Sequence, residues 1–210
     1  MNSVLVLASG GMDSSVLLYL YKTLGYKVSI MFFNYGQKNL EQEYNSLRRV
    51  MEKLDINSED LYEVKIEIPW NNSFITKGND NNEEYSPYVE MRNLIFASYG
   101  LSLCESREID VLALGYIKCY NDYPDTSETF MRDLQALAIR SNGVKVEFPL
   151  ADIRKTTVAS IGKGLGMKLK DTFSCNTPIN GKPCGECDDC KDIKKVIYTL
   201  GVDDDDNPLL

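Results

Sequence analysis

The sequence predicts an α/β fold, a doubly wound parallel five-stranded sheet with a small cysteine-bearing C-terminal appendage. Three observations carry that expectation. Short apolar runs alternate with helix-period segments along most of the chain, the pattern of βα units. The first run, Val4–Ala8, enters a Ser-Gly-Gly turn that opens directly into a helix pattern. At 210 residues with 43% hydrophobic content, the chain is long enough for one sizeable core.

Val4–Ala8 is unbroken and apolar, as a strand covered on both faces should be. Ser14–Leu24 follows as a helix stopped by Gly25. Lys27–Phe33 reads as the second strand and Asn39–Leu54 as the second helix. Leu61–Ile68 is the third strand candidate. Pro69–Pro87 is polar and asparagine-rich, either an ordered lid or a flexible loop. The alternation resumes with helix Asn93–Glu105, strand Ile109–Leu114, helix Ser127–Ser141, strand Val144–Phe148 and helix Thr156–Leu165. A last helix spans about Asp188–Leu200. The expected plan is an α/β domain over residues 1–170, a cysteine-bearing region over 171–202 and an acidic tail over 203–210, read as a solvated or disordered end.

Net charge is −8 and there is no histidine. An acidic chain lacks the basic footprint of a nucleic-acid binder. Without histidine the usual general base is missing, and metal ligands must be thiolates or carboxylates. The N-terminal apolar run is too short for a membrane span and lacks a basic flank. The expectation is a cytoplasmic protein with reduced thiols and no membrane partner.

The segment Ser9-Gly10-Gly11-Met12-Asp13-Ser14 lies at the first strand-to-helix turn. Glycines there let backbone N–H groups close on an anion, and the helix N-terminus adds positive potential. Asp13 would repel a bare phosphate, which suggests a metal-bound one. No Gly-Lys-Ser/Thr follows, so this is not a Walker A loop. The pattern resembles the PP-loop of the ATP pyrophosphatase superfamily, enzymes that cleave ATP to AMP and pyrophosphate through an adenylated substrate. The plainer alternative is a tight turn in an ordinary α/β protein.

Cys175, Cys184, Cys187 and Cys190 are spaced C-x8-C-x2-C-x2-C. A C-x2-C pair brings two sulfurs to one ion, and four thiolates close a structural zinc site. An iron–sulfur cluster is the rival, but a ferredoxin run would continue with a cysteine where Lys194 stands. Cys104 falls in a helix and reads as core; Cys119 reads as loop filler or a reactive thiol.

A PP-loop at one end and a four-cysteine cluster at the other resemble the 7-cyano-7-deazaguanine synthase family. Tyr35-Gly36-Gln37, Arg92-Asn93, Tyr123-Pro124-Asp125 with Phe130, and Pro149-Leu150 with Lys155 are similar to its internal motifs, in the same order. The resemblance covers about residues 4–200. It implies ATP-dependent conversion of 7-carboxy-7-deazaguanine and ammonia to the nitrile through adenylated acid and amide, with Mg²⁺ accompanying ATP, one structural zinc and a homodimer. It also implies residue roles. Ser9, Gly10, Gly11, Met12, Asp13, Ser14, Tyr35, Gln37 and Gly115 would bind ATP. Asp13, Ser14, Arg92 and Lys155 would be catalytic. Arg92, Asn93, Tyr123 and Asp125 would hold the substrate. Plainer roles stand beside these: a surface ion pair with Glu90 for Arg92, a helix cap for Asn93, a cap on the following helix for Asp125, and core packing for Tyr123.

The chain departs from the family at Asn34, at Lys38-Asn39, at Glu90-Met91, at Cys119 (where Asp122 is a substitute acid) and at Ile193. A divergent member would stop at the amide or use another amine. The other readings are a tRNA-thiolating PP-loop enzyme, disfavoured by the acidic charge, and a non-catalytic nucleotide-binding module, disfavoured by Asp13.

Overall fold

The computed structural model describes residues 2–70, 73–76, 87–117 and 123–210, without the side chain of Asn142. A strand covered on both faces has no polar side, and the centre of the sheet shows this. Val4, Leu5 and Val6 of β1 (Ser3–Leu7) and all of β4 (Val111–Leu114) are buried. With β2 (Lys27–Asn34), β3 (Leu61–Lys65) and β5 (Lys145–Glu147) they form a five-stranded sheet in the order β3-β2-β1-β4-β5. Every pairing is parallel. The predicted fold class is therefore what the chain adopts.

Parallel neighbours require crossovers, and α1 (Met12–Thr23), α2 (Leu40–Lys53), α3 (Arg92–Arg107) and α4 (Glu128–Asn142) provide them. The chain continues through α5 (Lys155–Gly164) and α6 (Asp188–Leu200). Alternate residues along the strands enter two cores. Val4, Val6, Ile30 and Phe32 join α1, α2, α5 and α6 on one face. Leu5, Met31, Phe33, Leu112 and Leu114 join α3 and α4 on the other. α1 lies deep in the first core, which explains its nearly continuous apolar sequence. Strand order reverses between β1 and β4, so a crevice opens beyond their carboxyl ends.

Two strand expectations needed trimming. β3 ends at Lys65 because its partner β2 ends at Asn34, and Ile68 packs with Ile75 and Val89 instead. β4 begins at Val111, where pairing with Val4 starts. Only 73–76 and the ends of the 69–87 loop are described; there Lys38 N–H bonds the Ile75 carbonyl at 2.8 Å and Gln37 pairs with Thr76. That part packs onto the turn after β2. Cys119 and Asp122 lie outside the described residues.

The acidic tail is an ordered end, although Asp203, Asp204 and Asp205 stay exposed to solvent. Asp203 caps a short 3-10 turn over Asp204–Asp206, Asp206 reaches Lys163 (3.6 Å) and the Lys170 N–H (3.2 Å), and Leu209 packs against the core. Opposite charge and one leucine override the charge run that had suggested disorder. Cys104 is fully buried, as expected, and burial pushes its thiol up to about 12.

Gly10 carries a strict steric requirement. Its φ is +83°, and a Cβ there would lie 2.3 Å from the Glu43 carbonyl oxygen and 2.6 Å from the Leu47 nitrogen. Backbone cannot yield as a flexible side chain would. Gly10→Ala is expected to cost about 3 kcal/mol of stability, read by urea unfolding; a loss below about 1 kcal/mol would mean that α2 moves freely away from the loop.

Candidate active site

The loop after β1 is held from both sides. Ser9 Oγ accepts from Gly11 N–H at 3.3 Å, and Ser14 Oγ donates to the Gly11 carbonyl at 3.2 Å. Ser46 on α2 donates to the Gly10 carbonyl (2.8 Å) and is within 2.6 Å of the Asp171 carbonyl. Phe173 N–H also reaches the Gly10 carbonyl at 3.0 Å. The C-terminal appendage thus lies directly against the loop. Met12 sends its side chain into the core, so its N–H is what it offers at the loop, 3.5 Å from Ser174 Oγ. A Cβ on Gly115 would lie 3.3 Å from Ser14 N. Gly115 therefore lets the end of β4 close onto the first turn of α1.

Asp13 stands in the first turn of α1, where positive potential favours an anion. Its Oδ1 is buried with no hydrogen-bond partner, a costly state for a carboxylate oxygen. Burial raises the Asp13 pKa; Lys155 opposes that, and Asp189 and Asp192 add to it. A carboxylate with an open buried oxygen beside an anion-type loop fits a divalent cation. Lys155, at the start of α5, is 8% exposed. Its Nζ is 3.9 Å from Asp13 Oδ2 and 3.3 Å from Asp189 Oδ1. It is buried between the loop and α6.

A second group surrounds Arg92, the first residue of α3. Its Nη1 donates to Tyr35 Oη at 2.9 Å, and its guanidinium lies 5.3 Å from the Tyr35 ring centre. The hydrogen-bonding partner is Tyr35, not the Glu90 of the plainer alternative. Burial works against the charge on Arg92, but Tyr35, Glu43, Tyr116 and Asp125 outweigh it and hold the guanidinium charged. Gln37 is 1% exposed. It donates to the Phe33 carbonyl (2.9 Å) and to Glu43 (3.0 Å), and accepts from Tyr35 N–H (3.0 Å). Both N–H groups of its amide are engaged in holding the turn, and the side chain points inward.

Burial pushes the Glu43 carboxyl up to about 7 from 4.5, against the lowering effects of Gln37 and Arg92. A raised folded pKa means the native state holds its proton longer than the unfolded chain. Stability therefore falls as pH rises between these two values. Wild type is expected to lose on the order of 2 kcal/mol between about pH 5 and pH 8, and Glu43→Gln to flatten that slope. Urea midpoints across that range test it; equal slopes would remove Glu43 as the cause.

Asp125, 1% exposed, accepts from the Asn93 N–H at 2.9 Å through Oδ2. It caps α3 across the fold, not the helix that follows it. That helix, α4, is capped by Ser127, which accepts from Phe130 N–H. Asn93 is not the cap either; it donates to the Asp125 carbonyl at 3.3 Å, and Met91 occupies the cap position with a left-handed φ of 49°. Asp125 Oδ1 is buried without a partner, as is the hydroxyl of Tyr116, which follows Gly115 and stacks on Phe148. Tyr123 stacks on Tyr88 at 4.9 Å.

The four cysteines converge. Their sulfurs all lie within 4.8 Å of one another, with Cys184–Cys190 at 4.0 Å and Cys175–Cys187 at 3.9 Å. Four thiolates about 2.3 Å from one tetrahedral ion would stand roughly 3.8 Å apart. The set fits a single ion. Cys184 Sγ accepts from the N–H groups of Glu186 (3.4 Å) and Cys187 (3.3 Å), and Asn39 donates to the Cys175 carbonyl at 2.9 Å.

The model of the family described as queuosine biosynthesis protein QueC matches residues 3–199. The chain belongs to the QueC family. A 7-cyano-7-deazaguanine synthase of Prochlorococcus marinus (strain NATL2A) is 32% identical over 220 residues, spanning 97% of this chain and 96% of the relative. One of Leptospira biflexa (serovar Patoc, strain Patoc 1 / Ames) is 31% identical over 228 residues, spanning 95% and 92%. Among solved structures, the U34-tRNA thiolase NcsA from Methanococcus maripaludis with its 4Fe-4S cluster superposes with a TM-score of 0.55 at 15% identity, covering 96% of this chain and 69% of that one. NMN synthetase from Francisella tularensis superposes with a TM-score of 0.53 at 13% identity, covering 98% and 80%. Such low identity shows a shared fold alone.

Within this QueC-family chain, sequence reasoning missed Glu43, Ser46, Tyr116, Ser174 and Asp189. Asp189 carried a signal, since it lies between two clustered cysteines. Ser46 and Tyr116 carried none: a serine within a helix and a tyrosine after a strand are ordinary until folding places them. Among the described residues no helix is long and apolar enough to cross a membrane.

Proposed function

We propose that this chain makes 7-cyano-7-deazaguanine from 7-carboxy-7-deazaguanine and ammonia, using ATP. The observation that carries the reading is the match of the QueC family over residues 3–199 to a chain whose Asp13 keeps an open, buried oxygen. The relatives named above bear that activity in their names.

A carboxylate is a poor acyl donor because its leaving group would be oxide. In the proposed first half-reaction the substrate carboxylate attacks the α-phosphorus of ATP and pyrophosphate leaves. Ammonia then displaces AMP and loses a proton, giving the amide. In the second half-reaction the amide oxygen attacks the α-phosphorus of another ATP and pyrophosphate leaves with loss of one proton from nitrogen; departure of AMP, which carries the former amide oxygen, with the second nitrogen proton then leaves the nitrile. Both halves are served by positioning and charge stabilisation, which require no histidine.

Ser9, Gly10, Gly11, Met12 and Ser14 would hold the pyrophosphate portion through N–H and hydroxyl groups. Asp13 would hold Mg²⁺, whose contribution is to neutralise phosphate charge. Lys155 would add a fixed positive charge beside it, and Gly115 would keep this loop closed against α1. Arg92, oriented by Tyr35, would grip a phosphate or the substrate carboxylate with its planar fork. Asp125 Oδ1 and Asn93 would meet the guanine-like edge, and Tyr123 would stack on the ring. Gln37 would act through Glu43 and the turn and not by touching ATP. Cys175, Cys184, Cys187 and Cys190 would bind one structural zinc; sulfurs this close support a single ion, because the thiolates of a cubane each hold a different iron and stand farther apart. A homodimer and a cytoplasmic location complete the reading.

The test is end-point mass spectrometry with 7-carboxy-7-deazaguanine, ATP, Mg²⁺ and ammonium, against Asp13→Ala. Nitrile and AMP, absent with the variant, are expected. Amide alone would indicate a shortened sequence. AMP without either product would indicate a different acceptor, and no turnover would sink the reading.

A further inference from the structure

We infer that Asp189 is a positioning residue that holds the Lys155 ammonium away from full pairing with Asp13, keeping Asp13 open to the divalent cation that accompanies ATP. The inference deepens the proposed function and rests on its assignment of Asp13 to that cation. Lys155 is almost wholly buried, so its ammonium cannot retreat to water and must be shared among nearby carboxylates. The sharing is unequal. Asp189 Oδ1 accepts a hydrogen bond from Lys155 Nζ at 3.3 Å, whereas Asp13 Oδ2 is 3.9 Å away, outside hydrogen-bond reach. Asp13 is left with one oxygen facing a distant ammonium and the other buried without a partner.

Asp189 is itself fixed. Its second oxygen accepts from Asn176 Nδ2. Asn176 directly follows Cys175, and Asp189 lies between Cys187 and Cys190 in the first turn of α6. The cysteine cluster therefore sets where Asp189 stands, Asp189 sets where Lys155 stands, and Lys155 decides how much of Asp13 is free. Without the Asp189 charge, Asp13 at 3.9 Å remains a carboxylate toward which the ammonium can move. A lysine moved from 3.9 Å to contact distance would compete with a cation by about tenfold at a near-surface dielectric.

The test is Mn²⁺ binding, read by electron paramagnetic resonance, with a non-hydrolysable ATP analogue present. It uses the metal-loaded full chain and the variants Asp189→Asn, Asp189→Glu and Lys155→Met. Asp189→Asn is expected to weaken Mn²⁺ binding about tenfold, and Asp189→Glu to restore most of it. In the Lys155→Met background, Asp189→Asn should have no further effect. Zinc content and melting temperature show that the cluster is intact, with Asp189→Ser as the second probe if Asp189→Asn lowers either. Unchanged Mn²⁺ binding in Asp189→Asn would overturn the inference. So would an equal loss in the Lys155→Met background, since Asp189 would then act on the cation by its own charge. Failure of the wild type to bind Mn²⁺ with nucleotide would instead overturn the role given to Asp13, and this inference with it.

Discussion

Asp13→Asn is expected to lower ATP-dependent turnover by about a thousandfold, near 4 kcal/mol of transition-state stabilisation, while leaving the protein as stable as wild type or more so. The two effects have one cause. Asp13 is a partly buried carboxylate whose Oδ1 is buried without a hydrogen-bond partner, a poor arrangement for folding and a good one for taking a cation. Its folded pKa is raised above 3.8 by burial, so the unfolded chain releases this proton first. Stability is therefore lost as pH rises through that window, and at neutral pH the ionised group is a burden the asparagine lacks. Removing Asp13 leaves Lys155 paired with Asp189, so no buried cation is stranded. The checks are steady-state AMP release and thermal melts near neutral pH. A variant that is both inactive and strongly destabilised would reassign Asp13 to the fold.

Loss of the metal is expected to have the largest effect on stability. Cys190 is fully buried and Cys175 nearly so. α6 seats Ile193 and Val196 in the main core, but the loop that precedes it has few apolar contacts: its cluster is Phe173 with the cysteines and Leu209. A segment that cannot build a core depends on its ion, and binding free energy becomes folding free energy. Cys190→Ser should lose the metal and lower the melting temperature by about 10 °C, equivalent to roughly 3 to 4 kcal/mol for a chain of this size. The loss should also reach the PP-loop, because Phe173 N–H, Ser46 and Asn39 tie the appendage to Gly10 and α2. Elemental analysis with thermal melts decides it. One zinc per wild-type chain and none in the variant is expected; iron at cluster stoichiometry would replace the zinc assignment, and an unchanged melting temperature would remove the structural role.

Much of the frame was legible in the chain because its signals are local. Val4–Ala8, a Gly-Gly turn and an apolar helix reveal a buried βα unit from residues that are neighbours in sequence. The C-x8-C-x2-C-x2-C spacing reveals a cluster that could hold an ion because its four cysteines lie within sixteen residues. Where local patterns misled, a distant partner was the reason. Gln37 turned inward because Glu43 and the Phe33 carbonyl were waiting for its amide. The acidic tail docked because Lys163 faces it.

The sequence by itself determined the fold class, the place of the Gly-Gly loop after β1, the cysteine cluster and the family, each through period, spacing or motif. Only the tertiary structure decided how those parts are joined. It set Asp125 as the cap of α3, more than thirty residues back along the chain. It placed Ser46 between Gly10 and Asp171, and Lys155 between Asp13 and Asp189. These pairings depend on how helices seat on the five-stranded sheet. A hydrogen bond or ion pair is settled at the scale of an ångström, and no pattern along one chain specifies distances that fine between residues so far apart.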